Sequence, residues 1–167
     1  MNPPIRILGV DPGLRHMGWG VIEAQGARLS WIAHGVVKPP TDAPMANRLA
    51  ALADDLTAIV LEHAPDEAGI EETFVNANPK SALRLGQARG AAMASLAQSG
   101  LPVVEFAARK IKQCVVGTGS ADKSQIAFMV RRLLPKAGEV SADAADALAV
   151  AITTAHHRGP QTLKVSA

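Results

Sequence analysis

The stretch Ala144-Ala145-Asp146-Ala147-Leu148-Ala149-Val150 constrains the fold most, because it is apolar on every side except for one carboxylate. Its surroundings predict a helix from near Ser141 to about His156, with Ser141 as a cap that accepts bonds from amide groups left unpaired at the helix start. A helix apolar all round must be packed on most sides. The buried carboxylate of Asp146 then needs a strong partner, since an unpaired one costs several kcal/mol.

The elements available to wrap this helix follow from periodicity. Ile5 to Val10 is a β-branched run ending in the turn signal Asp11-Pro12-Gly13. Met17 to Glu23 and Arg28 to Val37 are two further strands joined near Gly26, which makes an antiparallel three-strand meander. After Pro39, Pro40 and Pro44, a helix carries Met45, Leu49, Leu52, Leu56, Ile59 and Val60 on one face until Pro65 stops it. Ala68 to Glu71 is a short buried strand, Lys80 to Gln98 a helix signalled to end by Gly100, and Val103 to Phe106 a fifth strand. Two helices of mixed character follow, around Ala107 to Val115 and Lys123 to Leu134. This order gives an α/β fold, a mixed five-stranded sheet with helices on both faces, as one domain over 1–157 with a loose tail at 158–167.

If the fourth strand joins parallel to the first, Asp11 and Glu71 stand side by side at strand C-terminal ends, where open α/β sheets hold their ligands. Each acid alone has an ordinary role: Asp11 as a turn residue, Glu71 and Glu72 as a solvated strand end, Asp143 as a charge suited to a helix N-terminus. Taken together they differ. Asp143 lies three residues before Asp146, on the same helix face, and two adjacent carboxylates repel unless a cation lies between them. Four acids with only oxygen donors suit magnesium or manganese. Two such ions about 3.5–4 Å apart can activate water and stabilise a leaving oxygen in phosphodiester cleavage.

Charge is distributed to match. The net charge is only +2, but residues 80–136 hold ten Lys and Arg against two acids, while residues 1–79 hold five against ten. That asymmetry fits a polyanion-binding face beside an acidic metal site, and equally a pair of solvated basic helix faces. With Cys114 as the one cysteine, no intrachain disulfide or cysteine-based zinc site forms. No apolar run reaches the ~18 residues of a spanning helix, and the N-terminus lacks a signal-peptide layout, so the expected compartment is the cytoplasm.

The motifs also resemble a known family. Ile7-Leu8-Gly9-Val10-Asp11-Pro12-Gly13 with Gly18-Trp19-Gly20 resembles the opening strand of RuvC resolvases. Ile70-Glu71-Glu72-Thr73-Phe74 is similar to their second acidic strand and the loop after it. Ser81-Ala82-Leu83 and Leu85-Gly86-Gln87-Ala88-Arg89-Gly90 resemble their long central helix. Phe106-Ala107-Ala108-Arg109, Lys112-Gln113, Val115-Val116-Gly117, Gly119-Ser120, Lys123-Ser124-Gln125 and Ala142-Asp143-Ala144-Ala145-Asp146-Ala147-Leu148-Ala149 follow in order. The resemblance spans residues 5 to 157.

It implies an RNase H-like fold, a homodimer, magnesium dependence with two ions per site (manganese substituting), and paired nicks that resolve a Holliday junction. It also implies cooperation with the RuvA–RuvB branch-migration complex. Carried over by position, Asp11, Glu71, Asp143 and Asp146 are the catalytic metal ligands, Lys112 and Lys123 lie near the scissile phosphate, and Phe74 meets junction bases. Phe106 stands where relatives often have Tyr, so no hydroxyl role is assigned there. Strand alternation allows only one of Glu71 and Glu72 into the site, and the motif favours Glu71.

Three other readings compete. An actin-like ATPase fragment would share the Asp-Pro-Gly turn, but that architecture needs a second lobe and a second phosphate loop, which this sequence does not show. A silent binder of branched DNA would be weakened by four acids facing phosphate. A different RNase H-like nuclease would act on hybrids or nicked duplex.

Overall fold

Five strands form one mixed sheet in the order β3-β2-β1-β4-β5 in the computed structural model, which describes residues 3–72 and 77–158. β1 (Ile5–Asp11), β2 (Met17–Gln25) and β3 (Arg28–Val37) make the expected antiparallel meander, with an irregularity at Val21/Ile22. β4 (Glu67–Glu72) lies parallel to β1 with Val10 beside Ile70, and β5 (Val103–Ala107) lies parallel to β4.

Alternation along the central strands divides the molecule into two apolar layers. On one face, Leu8, Val10, Val21 and Ile70 pack with Leu52 and Leu56 of α1 (Met45–His63) and Ala88 and Leu96 of α2 (Pro79–Gln98). On the other, Ile7, Ile22 and Phe106 pack with α3 (Ala108–Val116), α4 (Lys123–Leu133) and α5 (Ala142–His157). The Asn78 side chain caps α2 by accepting from the amides of Lys80 and Ser81. Asp122 and Gln125 form a reciprocal capping box at the start of α4. Beyond the elements read from periodicity, a single 3-10 turn, Pro135–Ala137, links α4 to α5. Its three residues are too short to carry a periodic signal.

The apolar helix is α5, with Leu148, Val150 and Ile152 fully buried. It lies against β1, β2 and β4 at backbone distance because glycines clear its path. A Cβ added at Gly9 would stand 2.0 Å from the Ala147 carbonyl oxygen, one at Gly18 1.9 Å from the Asp143 carbonyl oxygen, and one at Gly69 2.0 Å from Thr154 Oγ1. Thr153 and Thr154 donate their hydroxyls to the carbonyls of Ala149 and Val150, so these buried polar groups are satisfied within the helix.

Arg158, assigned from sequence to the loose tail, is tied to the fold by an ion pair with Glu67 at 3.1 Å. Residues 159–167 lie outside the described residues. Among the described residues no helix is long and apolar enough to cross a membrane.

Candidate active site

The side-chain order on the sheet decides which acids meet. Gly9 faces α5, so Asp11, two residues on, faces it as well; Gly69 faces α5, and so therefore does Glu71. Glu72 falls on the opposite face, which is the physical reason Glu71 and not its neighbour meets the other acids. The β1–β4 register carries Asp11 and Glu71 to the same level at the strand ends, where their side chains share a hydrogen bond.

α5 brings the other two acids from above. Ser141 caps it, its hydroxyl accepting from the Ala144 amide at 3.3 Å, so Asp143 falls in the first turn and Asp146 one turn later. Gly18 pairs with Asp11 across the β1–β2 ladder and lies under the Asp143 backbone, so one strand position sets how close Asp143 comes to Asp11.

The electrostatics record this crowding. Burial, followed by the charges of Glu71, Asp146 and Asp143, pushes the Asp11 carboxyl up to about 8. Burial and Asp146 likewise push Glu71 up, opposed by its hydrogen bond with Asp11 and by Lys112 and Lys123. Asp146 is raised chiefly by burial, with Lys123 and Lys112 pulling it down and Asp143 pushing it up. The two lysines come from α3 and from the first residue of α4. Together with Glu71 and Asp146 they line a cleft of about 170 Å³ floored by Ala108, Ile111, Ile126 and Ala149.

Four carboxylates outnumber the two lysines at the site, and the donors that converge there are oxygens, so burial and mutual repulsion favour holding a proton on Asp11. A hard divalent cation fits that donor set, and its entry would displace the proton. Among the described residues no three His, Cys, Asp or Glu side chains enclose an ion as they stand.

Of the residues singled out from sequence, the structure brings together Asp11, Glu71, Asp143, Asp146, Lys112 and Lys123. Phe74 lies outside the described residues. Phe106 is 8% exposed and packs its ring 5.4 Å from that of His157, as an apolar core residue. Sequence reasoning missed Arg89, whose Nε donates to the Glu71 carbonyl at 3.0 Å while its guanidinium pairs with Glu105. This fastens α2 to the end of β4. It also missed Arg48, whose Nη2 donates to the Leu14 carbonyl at 3.2 Å and ties α1 to the turn after Asp11. A lone arginine in a helix carries no sequence signal for either role.

A mixed sheet of this order, with acids at the ends of its two central parallel strands and on the helix crossing them, defines an RNase H-like nuclease. The family model for crossover junction endodeoxyribonuclease RuvC matches residues 7–154, and the chain belongs to that family. It is accordingly a metal-dependent endonuclease that hydrolyses DNA phosphodiester bonds. The crossover junction endodeoxyribonuclease RuvC of Hyphomonas neptunium is 66% identical over 157 residues, 94% of each chain. That of Azorhizobium caulinodans is 58% identical over 166 residues, covering 99% of this chain and 98% of the relative. Among solved structures, T. thermophilus RuvC in complex with Holliday junction substrate superposes with a TM-score of 0.82 at 30% identity, covering 89% of this chain and 92% of that one.

Proposed function

We propose that the chain resolves Holliday junctions by paired metal-dependent nicks, with Asp11, Glu71, Asp143 and Asp146 as the catalytic metal ligands. The observation that carries this reading is the convergence of four carboxylates, two at the ends of adjacent parallel strands and two on the helix crossing them, whose burial and mutual repulsion push the Asp11 carboxyl up to about 8. Magnesium, with manganese as a substitute and two ions as the working number, would supply Lewis-acid stabilisation of the phosphate and activation of the attacking water. Asp11 and Glu71, fixed on neighbouring strands, give the rigid half of the ligand set. Asp143 and Asp146, on α5, give the half whose height the glycines under the helix set. Lys112 and Lys123 face a phosphate brought to the cleft and offset its charge, and Phe74 meets junction bases. Cooperation with the RuvA–RuvB complex follows from the family resemblance.

Incubation with magnesium and a four-way junction, a linear duplex and an RNA–DNA hybrid in parallel tests the reading. Symmetric nicks in the junction with little cutting of the others are expected. Preferential cutting of the hybrid would assign the site to a different RNase H-like activity.

A junction has two symmetry-related strands to cut, and one site cuts one at a time, so the working unit is a two-fold dimer. The supporting observation is the outer face of α2. Gly86, Gly90, Ala94 and Ala97 are exposed, Leu83 beside them is 64% exposed, and a Cβ added at Gly86 or Gly90 meets nothing within 4 Å. This stripe does not pack on the chain's own sheet, so it is free to receive a second helix.

Gly90→Leu should therefore fold at least as well as wild type, since Gly within a helix costs about 1 kcal/mol relative to better formers. It should sediment as a monomer and nick one strand without its partner. A Gly90→Leu protein that stays dimeric and makes paired nicks would move the interface off α2.

A further inference from the structure

A second cleft, of about 950 Å³, opens on the other side of the acids, and Asp143 stands on its wall. The turn after β1 contributes Arg15, the segment after β3 contributes Lys38, α1 contributes Arg48, and the first turns of α2 contribute Ser81 and Arg84. Arg15, Lys38 and Arg84 are exposed, and among the described residues none of them pairs with a carboxylate. Asp143 is the one acid on that wall. Arg48 is half-buried and spends one nitrogen on the Leu14 carbonyl, so it holds the wall in shape.

Four cations converging with one acid are not a neutral solvated surface. The volume is far larger than an ion or a single phosphate requires. Because Asp143 faces both this cleft and the other acids, the cleft is continuous with the cleavage site, and Lys112 and Lys123 lie on the opposite flank, beside Glu71 and Asp146. The four acids thus sit between two basic flanks, and a polyanion lying across both must pass over them.

We propose that Arg15, Lys38 and Arg84 bind backbone phosphates of the cleaved strand on one side of the scissile phosphate, while Lys112 and Lys123 bind on the other. This rests on the reading of the four acids as the cleavage site. The strand crosses the C-terminal ends of β1 and β4 from the α3–α4 flank to the α1–α2 flank. Contacts on both sides hold the scissile phosphate over the acids and fix its register, as phosphate contacts do in DNA recognition. Ser81, at the capped start of α2, adds a hydroxyl and a helix N-terminus to the same wall.

The test compares wild type, the triple variant Arg15→Ala/Lys38→Ala/Arg84→Ala and the pair Lys112→Ala/Lys123→Ala. Junction binding is measured in calcium between 50 and 200 mM salt, so that little cleavage intervenes. Each lost phosphate contact lowers the slope of log K against log salt by about 0.9, so the triple variant should lose about 2 to 3 units. Junctions carrying one neutral methylphosphonate at a time then locate the contacts. Neutralising a contacted phosphate weakens wild-type binding. That penalty should vanish in the triple variant on one side of the cut only, and in the lysine pair on the other side only. Arg15→Lys/Arg84→Lys should keep most of the slope, which separates lost charge from lost fold.

A triple variant with the wild-type salt slope overturns the proposal, as does loss of the same phosphate positions in both variants. A wild-type protein that neither binds nor cuts the junction overturns the functional reading instead.

Discussion

Asp146→Asn should abolish most junction cleavage, by on the order of a hundredfold or more, while junction binding in calcium survives. The same holds for Asp11→Asn, Glu71→Gln and Asp143→Asn, because each removes a proposed metal ligand but leaves the proposed phosphate contacts in place. These substitutions should also stabilise the metal-free protein, which separates a catalytic role from a structural one. The folded chain holds the Asp11 proton up to about 8, against an ordinary value of 3.8. The folded state therefore binds that proton more tightly than the unfolded state does. The resulting stability is full below about pH 4 and is lost as pH rises toward 8.

Asn has no proton to lose. The advantage of Asp11→Asn in metal-free buffer should accordingly grow from pH 4 to pH 8, reaching a rise in Tm of about 2–4 °C or more if it exceeds 1 kcal/mol. Added magnesium should raise the wild-type Tm and raise that of the variant less. Thermal melts at both pH values, with and without magnesium, check this. A metal-free Asp11→Asn protein that melts below wild type at pH 8 would mean the acid serves the fold.

The second large effect belongs to the glycines under α5. Gly9→Ala places a Cβ 2.0 Å from the Ala147 carbonyl oxygen and 2.6 Å from the Ala151 amide nitrogen, both helix backbone. Backbone does not swing aside as a side chain can, so the helix must lift. Overpacking of a tight core costs about 1–3 kcal/mol and occasionally more, or about 2–12 °C in Tm for a chain of this size. Gly18→Ala meets the Asp143 carbonyl oxygen at the helix start, where α5 can tilt. Its Tm should fall less than that of Gly9→Ala, but cleavage should fall sharply, since a displacement of about 1 Å can cost a hundredfold. Melting curves and single-turnover cleavage of both variants test the contrast. Full activity in Gly18→Ala would show that the approach of Asp143 to Asp11 is not what the glycine secures.

The Phe74 expectation comes from the sequence alone. Its assignment to junction bases rests on family resemblance alone, and residues 73–76 lie outside the described residues. The glycine stripe of α2 is the opposite case. The spacing of Gly86, Gly90, Ala94 and Ala97 can be read in the sequence, but whether they pack on the chain's own sheet cannot, and the open space around Gly86 and Gly90 excludes that arrangement.

The sequence by itself determined the elements and singled out the candidate acids. Period-2 and period-3.6 patterns are local, so five strands and five helices were legible to within a residue or two. One carboxylate in an apolar helix is a local contradiction that announces a site, and the family motifs assigned the rest. The tertiary structure alone decided what depends on long-range approach. The collision distances at Gly9, Gly18 and Gly69 arise between strands and a helix 80 or more residues apart, so nothing near those glycines in the chain announces them. The second basic cleft was hidden for the same reason. Arg15, Lys38 and Arg48 belong to the part of the chain with twice as many acids as bases, and only folding separates them from those acids and sets them beside Arg84. Charge counted along a chain averages over faces that the fold turns apart.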